Sequence, residues 1–278
     1  MSSAAQHHHH RRRARPPSLV STLRKLFWCL AIPIGVLSGY LLLAVPLVAI
    51  ISDPVTATLA VGGIVVVLVG ALRAVRPRWV AYEPAPVSTG GTKVAGAFWG
   101  LAALAVVLAF LAGQSLAVLL YAQIGSQSYD THVESQRTSP LVLVLALTLV
   151  VAPLSEEALL RGLMFPLLRR KIGVVVSMLV TTTAFALMHG NLIQVVVTVP
   201  LGLVLSVVAE RTRQLWQCVV LHAGFNLLAL FVPAKGIAAL VGPTTTLLVA
   251  AWGVCLWLLL DRTRARGDGS ATDRVPLG

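Results

Sequence analysis

The chain has 278 residues, of which 57% are hydrophobic and only 12% are charged. A soluble domain carries roughly a quarter of its residues as charges, so water is excluded as the solvent for most of this chain and lipid takes its place. The formal net charge of +12 would suit nucleic acid, but the basic residues sit in short clusters between apolar runs, so there is no soluble basic face and no nucleic-acid partner is expected.

The first 26 residues are polar, with His7–His10 followed by Arg11–Arg13, and read as a disordered basic cytosolic tail. Eight apolar runs follow, at 27–51, 55–72, 94–121, 139–165, 173–190, 192–209, 215–232 and 238–260. A helix crosses the hydrocarbon core with about 20 apolar residues. The runs lack the alternation of a transmembrane barrel. The expected fold class is therefore all-α, a polytopic transmembrane helical bundle of about eight spans in the cell membrane. The polar stretch 122–138 between the third and fourth runs reads as an outer loop, and the tail over 261–278 reads as disordered. In organisation this makes a tail (1–26), motif-free transmembrane helices (27–138), a catalytic core (139–232), a last transmembrane helix (233–260) and a second tail (261–278).

Charge placement supports the same count. With the N-terminus in the cytosol, the cytosolic segments hold 19 of the 22 Lys and Arg residues, and the outer loops hold only Arg137 and Lys235. The remaining one, Arg161, lies within a span. This is the positive-inside asymmetry, and it puts both termini in the cytosol. The three cysteines, Cys29, Cys218 and Cys255, all lie in apolar segments and read as small buried hydrophobes rather than a disulfide framework.

Ionisable residues inside a span are costly and mark function by default. They gather in the second half of the chain, in three groups. The first is Ser155-Glu156-Glu157-Ala158-Leu159-Leu160-Arg161-Gly162. Glu157 and Arg161 are four apart with the acid first, the favourable order for an ion pair. Glu156 is rotated by about 100° from Glu157, so it points elsewhere and is free to act as a base. The second group places Phe185 and His189 on one helix face. The third places His222 and Asn226 four apart, projecting toward a common point. A carboxylate, two imidazoles and a carboxamide suit hydrolysis in lipid. Glu156 would take a proton from water, the histidines would position that water or bind a metal, and Asn226 would hydrogen-bond the oxyanion.

The order Glu-Glu-x-x-x-Arg-Gly, Phe-x-x-x-His and His-x-x-x-Asn on successive apolar runs resembles the membrane-embedded CPBP family. That family includes type II CAAX prenyl endopeptidases and bacteriocin-processing or immunity proteins. The stretch Glu210–Trp216 resembles the family's lead-in to its last motif, although Arg213 stands where the family often has Gly. The resemblance covers about 140–230. It implies Glu156 as catalytic base, with His189, His222 and Asn226 completing the site and Glu157, Arg161 and Phe185 supporting it. It leaves two mechanisms open, a zinc cofactor held by His189 and His222 or a metal-free glutamate mechanism. A zinc site would need a third protein ligand.

The function expected is an intramembrane endopeptidase acting on a membrane-associated peptide or protein, prenylated or not. The alternatives are a non-catalytic bacteriocin-immunity or scaffold protein and a small ion-coupled transporter. The transporter reading lacks the matched broken spans that such proteins show. Rise along the expected spans puts Glu156 and His222 about 12–14 Å from their cytosolic ends but His189 at about 25 Å, a mismatch the fold must resolve.

Overall fold

The computed structural model describes residues 18–80 and 92–261. The tail readings over 1–17 and 262–278 lie outside the described residues. The described elements are all helical: α1 (Leu19–Ile50), α2 (Pro54–Val75), a short α3 (Pro77–Val80), α4 (Thr92–Ile124), α5 (Gln127–Thr138), α6 (Leu141–Ile172), α7 (Val174–Leu187), α8 (Leu192–Thr212), α9 (Leu215–Phe231), a short α10 (Ala234–Ala238) and α11 (Pro243–Asp261). Helices α1, α2, α4, α6, α8 and α11 are long and apolar enough to cross a membrane; α7 and α9 are apolar but shorter. All eight expected runs are thus helical.

Helix α8 lies at the centre. Val204, Leu205 and Val208 are completely buried there. It crosses α4 closely: a Cβ added at Gly113 would stand 3.0 Å from the Val197 carbonyl oxygen. It also crosses α7 closely, where a Cβ at Gly202 would stand 2.9 Å from Thr182 Cγ2 and 3.1 Å from Phe185 Cδ1. With no hydrophobic drive between helices in lipid, small residues at such crossings let packing hold the bundle. Helix α2 packs against α6 in the same manner, at Gly62 opposite Val151 and Ser155. Helix α1 lies outermost and contributes no buried residue.

Helix α6 departs from the expected span. The expected run ends at 165, just before Pro166, yet the helix continues to Ile172. Two π-helical turns, at Leu147–Val151 and Leu160–Met164, make this possible. Each comes just before a proline, Pro153 or Pro166. Proline has no N–H for the carbonyl four residues back and its ring crowds that carbonyl. Widening the preceding turn accommodates both effects without breaking the helix.

The extension resolves the depth mismatch. Counted along the observed helices at 1.5 Å per residue, Glu156 stands about 24 Å from Ile172 and His189 about 22 Å from Val174. Helix α9 starts deep, because Leu215 packs against Gly162, itself about 15 Å from Ile172. Seven further residues bring His222 to about 25 Å. The three side chains share one level.

The loop expected at 122–138 contains helix α5. Ser126 caps it by accepting a hydrogen bond from the Tyr129 amide at 3.2 Å. Thr131, Ser135 and Thr138 bond back to their own helix's carbonyls. Local capping makes a polar helix without any apolar period, so α5 has no buried residue.

The two ends of the bundle differ. At one, Arg169 forms a two-pronged pair with Glu210 (2.6 and 2.8 Å), Glu210 also accepts from Arg213 (3.0 Å), and Arg170 donates to the Arg78 carbonyl. Lys171 stands over the Trp28 ring at 5.1 Å. This is the basic end. At the other, Ser139 donates to Asp53 and Tyr121 donates to Asp130 at 2.7 Å. This is called the far end below.

Gly113→Val should unfold more readily than the parent in detergent, by about 1–3 kcal/mol, because backbone cannot yield to the added atoms. Gly63→Ala, which meets nothing within 4 Å, should be neutral or slightly stabilising. Thermal melts followed by tryptophan fluorescence separate the two.

Candidate active site

The site grows from Glu157. Both its carboxylate and the Arg161 guanidinium are fully buried, and they pair at 2.9 Å one turn apart on α6. The same oxygen, Oε1, faces His222 Nδ1 at 2.9 Å. An ionised carboxylate only accepts, so His222 presents an N–H from Nδ1. Arg161 reaches further and donates to the Gly202 carbonyl on α8 at 2.9 Å. Its guanidinium carbon lies 4.9 Å from the centre of the Phe185 ring, the cation-over-ring arrangement that adds most where water is absent.

Fixing Nδ1 fixes the rest of the ring. His222 Nε2 faces Glu156 Oε2 at 3.8 Å. That is too long for a direct hydrogen bond and short enough for one water to bond to both. Glu156 Oε2 is buried and has no hydrogen-bond partner in the protein. Glu156 lines a cavity with Tyr40, Thr58, Gly62, Ser155 and Met188 among its walls. The cavity has room for about 20 Å³ of water centres, and a water needs roughly 10–15 Å³. Rotation by one residue along α6 therefore separates the two glutamates: Glu157 pairs through Oε1, and Glu156 lines the cavity.

His189 stands on the other side of Phe185, whose ring is 5.2 Å from His189 and 5.5 Å from His222, edge-on to both. His189 Nδ1 bonds to the Phe185 carbonyl at 2.9 Å. Asn226, one turn beyond His222, donates to the Thr148 carbonyl at 2.8 Å. Thr148 belongs to the first π turn, where the widened ladder offers a carbonyl. The structure thus joins Glu156, Glu157, Arg161, Phe185 and His222 directly, with His189 reached through Phe185 and Asn226 through its own helix.

The tentative zinc assignment to His189 and His222 finds no third ligand. Among the described residues no three His, Cys, Asp or Glu side chains gather at metal-binding spacing. The residues do not fit a three-ligand zinc site, and no step below passes through a metal.

Tyr40, Gly202 and Thr148 escape a motif search, and Ser155, although it opens the first group, carries no role there. Tyr40 offered a signal nonetheless: tyrosine prefers the membrane interface, and this one sits well inside a 32-residue helix. On α5, His132 is held below the usual imidazole range, first by partial desolvation of a side chain that stays exposed at its surface and then by repulsion from His189.

Residues 138–228 match the family model for type II CAAX prenyl endopeptidase Rce1-like proteins. That match places the stretch from α6 into α9 with the family. The matched stretch runs from the start of α6 into α9 and contains every residue of the site above except Tyr40 and the α2 wall. The chain is also similar to an uncharacterised 24.3 kDa protein of Escherichia coli, at 31% identity over 153 residues, covering 52% of this chain and 66% of that relative. The match so spans just under two thirds of the relative's length. No solved structure matches. The helices and this likeness together make the chain an integral membrane protein.

Arg161→Met should leave the Glu157 charge buried and unpaired, at a cost of about 3–5 kcal/mol. Glu157→Gln combined with Arg161→Met should recover part of that loss, since both charges go. Melting temperatures of the two variants in detergent check the pair's role independently of any activity.

Proposed function

We propose that this protein is an intramembrane endopeptidase of the cell membrane, hydrolysing a peptide bond in a membrane-associated peptide or protein by glutamate-activated water. The observation that carries the reading is Glu156 Oε2: buried, without a hydrogen-bond partner, on a cavity wall and 3.8 Å from His222 Nε2. Glu157 is paired through Oε1 and, although its Oε2 also lacks a hydrogen-bond partner, it does not line the cavity. A carboxylate left unpaired beside room for water is placed for proton transfer.

The chemistry then runs on this chain's own groups. Water between Glu156 and His222 gives a proton to Glu156, and the resulting hydroxide attacks the peptide carbonyl. His222 holds the water, its own orientation fixed by Glu157, which pairs with Arg161. The negative charge moves to the carbonyl oxygen. Asn226 has two amide hydrogens and spends one on Thr148, so the other serves that oxygen. Collapse of the tetrahedral intermediate breaks the C–N bond, and Glu156 returns its proton to the leaving amine. His189 orders Phe185 and the far wall. That no third His, Cys, Asp or Glu joins His189 and His222 at metal-binding spacing among the described residues favours the metal-free form of this mechanism over zinc.

Glu156→Gln should abolish cleavage, by at least about 10²-fold for loss of a general base, with a melting temperature near that of the parent. The assay offers prenylated and unprenylated anchored peptides to both proteins in liposomes, with and without a chelator. Cleavage by the parent that survives the chelator is the expected result. Cleavage by Glu156→Gln at the parental rate would sink the assignment, and a folded parent inert on every peptide would favour an immunity or scaffold role.

A further inference from the structure

Glu156 shares its cavity with three hydroxyl side chains, Tyr40, Thr58 and Ser155; the remaining walls are apolar. Each hydroxyl brings one O–H donor, and two of the three are spent. Thr58 donates to the Pro54 carbonyl at 2.8 Å and Ser155 to the Ala152 carbonyl at 3.2 Å, each within its own helix. A phenol stands too far from its backbone to bond back in this way, and among the described residues nothing accepts from Tyr40. An ionised carboxylate only accepts. The cavity therefore holds one unspent donor, on α1, and the unpartnered carboxylate oxygen of Glu156, on α6. The Glu156 charge reaches the phenol.

The depth of Tyr40 argues against an anchoring role. A tyrosine that only anchored α1 would sit at headgroup level. At 1.5 Å per residue, Tyr40 stands about 18 Å from Trp28, beneath Lys171 at the basic end, and about 15 Å from Ile50 at the far end. A phenol at an interface bonds to water and headgroups, whereas one in mid-span must find its partner inside the protein. Helix α1 otherwise gives the bundle little. It contributes no buried residue, and the half-buried Tyr40 is its one wall residue among those described. Phenylalanine would fill the same space without a polar group to satisfy, so packing does not account for the hydroxyl.

We propose that Tyr40 is a further catalytic residue of the Glu156 site, donating a hydrogen bond from its phenol to the peptide carbonyl oxygen as negative charge moves onto it. A donor aimed at the attacking water would weaken it as a nucleophile; the bond helps where charge develops. With the second amide hydrogen of Asn226, that oxygen receives two donors, one from α9 and one from α1. The phenol keeps its proton throughout. Water's proton still passes to Glu156 and then to the leaving amine, so no further acid or base enters. Tyr40 lies outside the matched stretch 138–228, and α1 thus supplies a reacting group that this stretch does not contain. The role rests on the protease reading above; the place of the phenol at the cavity rests on geometry.

Two measurements separate role from place. Tyr40→Phe removes one oxygen and keeps the ring, so its melting temperature in detergent should match the parent's. On an anchored peptide that the parent cleaves in liposomes, kcat should fall by at least about tenfold, toward the 10²–10³-fold typical of a lost oxyanion donor. KM should stay within about twofold, since the bond forms only in the transition state. A merely structural tyrosine would lower the melting temperature or raise KM and spare kcat, and an unchanged kcat overturns the catalytic role. The place is read without activity. p-Cyanophenylalanine in place of Tyr40 carries a nitrile whose infrared band responds to nearby charge and hydrogen bonding. Adding Glu156→Gln should shift that band and leave unmoved the band of the same probe in place of the exposed Leu42. A band at position 40 that ignores Glu156→Gln overturns the placement. A parent inert on every peptide overturns the protease reading and the catalytic role with it, while the nitrile still decides whether the phenol belongs to the Glu156 cavity.

Discussion

One carboxylate oxygen organises the second half of this protein. Glu157 Oε1 holds Arg161 on its own helix and His222 on α9, and Arg161 carries the linkage on to the α8 backbone at Gly202. Charges are expensive in lipid, and a buried pair is strongly destabilised when either partner is lost. Three helices are therefore held in register by an interaction that tolerates little movement. Much nearby follows from it. Gly202 must lack a side chain, because Thr182 and Phe185 press against it while its carbonyl faces Arg161. Phe185 must be aromatic and flat to lie under the guanidinium while standing edge-on to two imidazoles.

The same bond sets the division of labour between adjacent glutamates. Identical in chemistry, they differ by one helical step, and that step decides which is neutralised by a cation and which faces a cavity. Glu157 fixes the tautomer of His222 through Nδ1, and this in turn aims Nε2 toward Glu156. Arg161 thus acts on Glu156 only through the orientation of Glu157 and His222. The arrangement resembles a relay of constraints more than a cluster of equal participants.

The sequence was legible where physics is local. Apolar run length marks the helices, charge clusters mark their shared end, and a four-residue spacing pairs Glu157 with Arg161. It was illegible where the outcome depends on competition between neighbours. Pro166 ordinarily ends a helix, and only the widened turn at Leu160–Met164, supported by full burial of Leu160 and Met164, lets α6 run on to Ile172. The deep start of α9 rests on Leu215 meeting Gly162, a contact 53 residues apart in the chain and invisible to any window. Helix α5 escaped because it has no apolar period at all. Tyr40 escaped because a wall residue needs no partner motif.

Helices α7 and α9 have 14 and 17 residues, or about 21 and 26 Å of rise, against a hydrocarbon slab of about 30 Å. Lipids bordering these two helices meet an apolar flank shorter than themselves, while those bordering α1 meet a longer one. Acyl chains must compress on one side of the protein and stretch, or tilt the helix, on the other. The molecule therefore sits in the bilayer as a wedge in thickness, thin beside His189 and His222, and a thinner membrane should favour the side on which they lie.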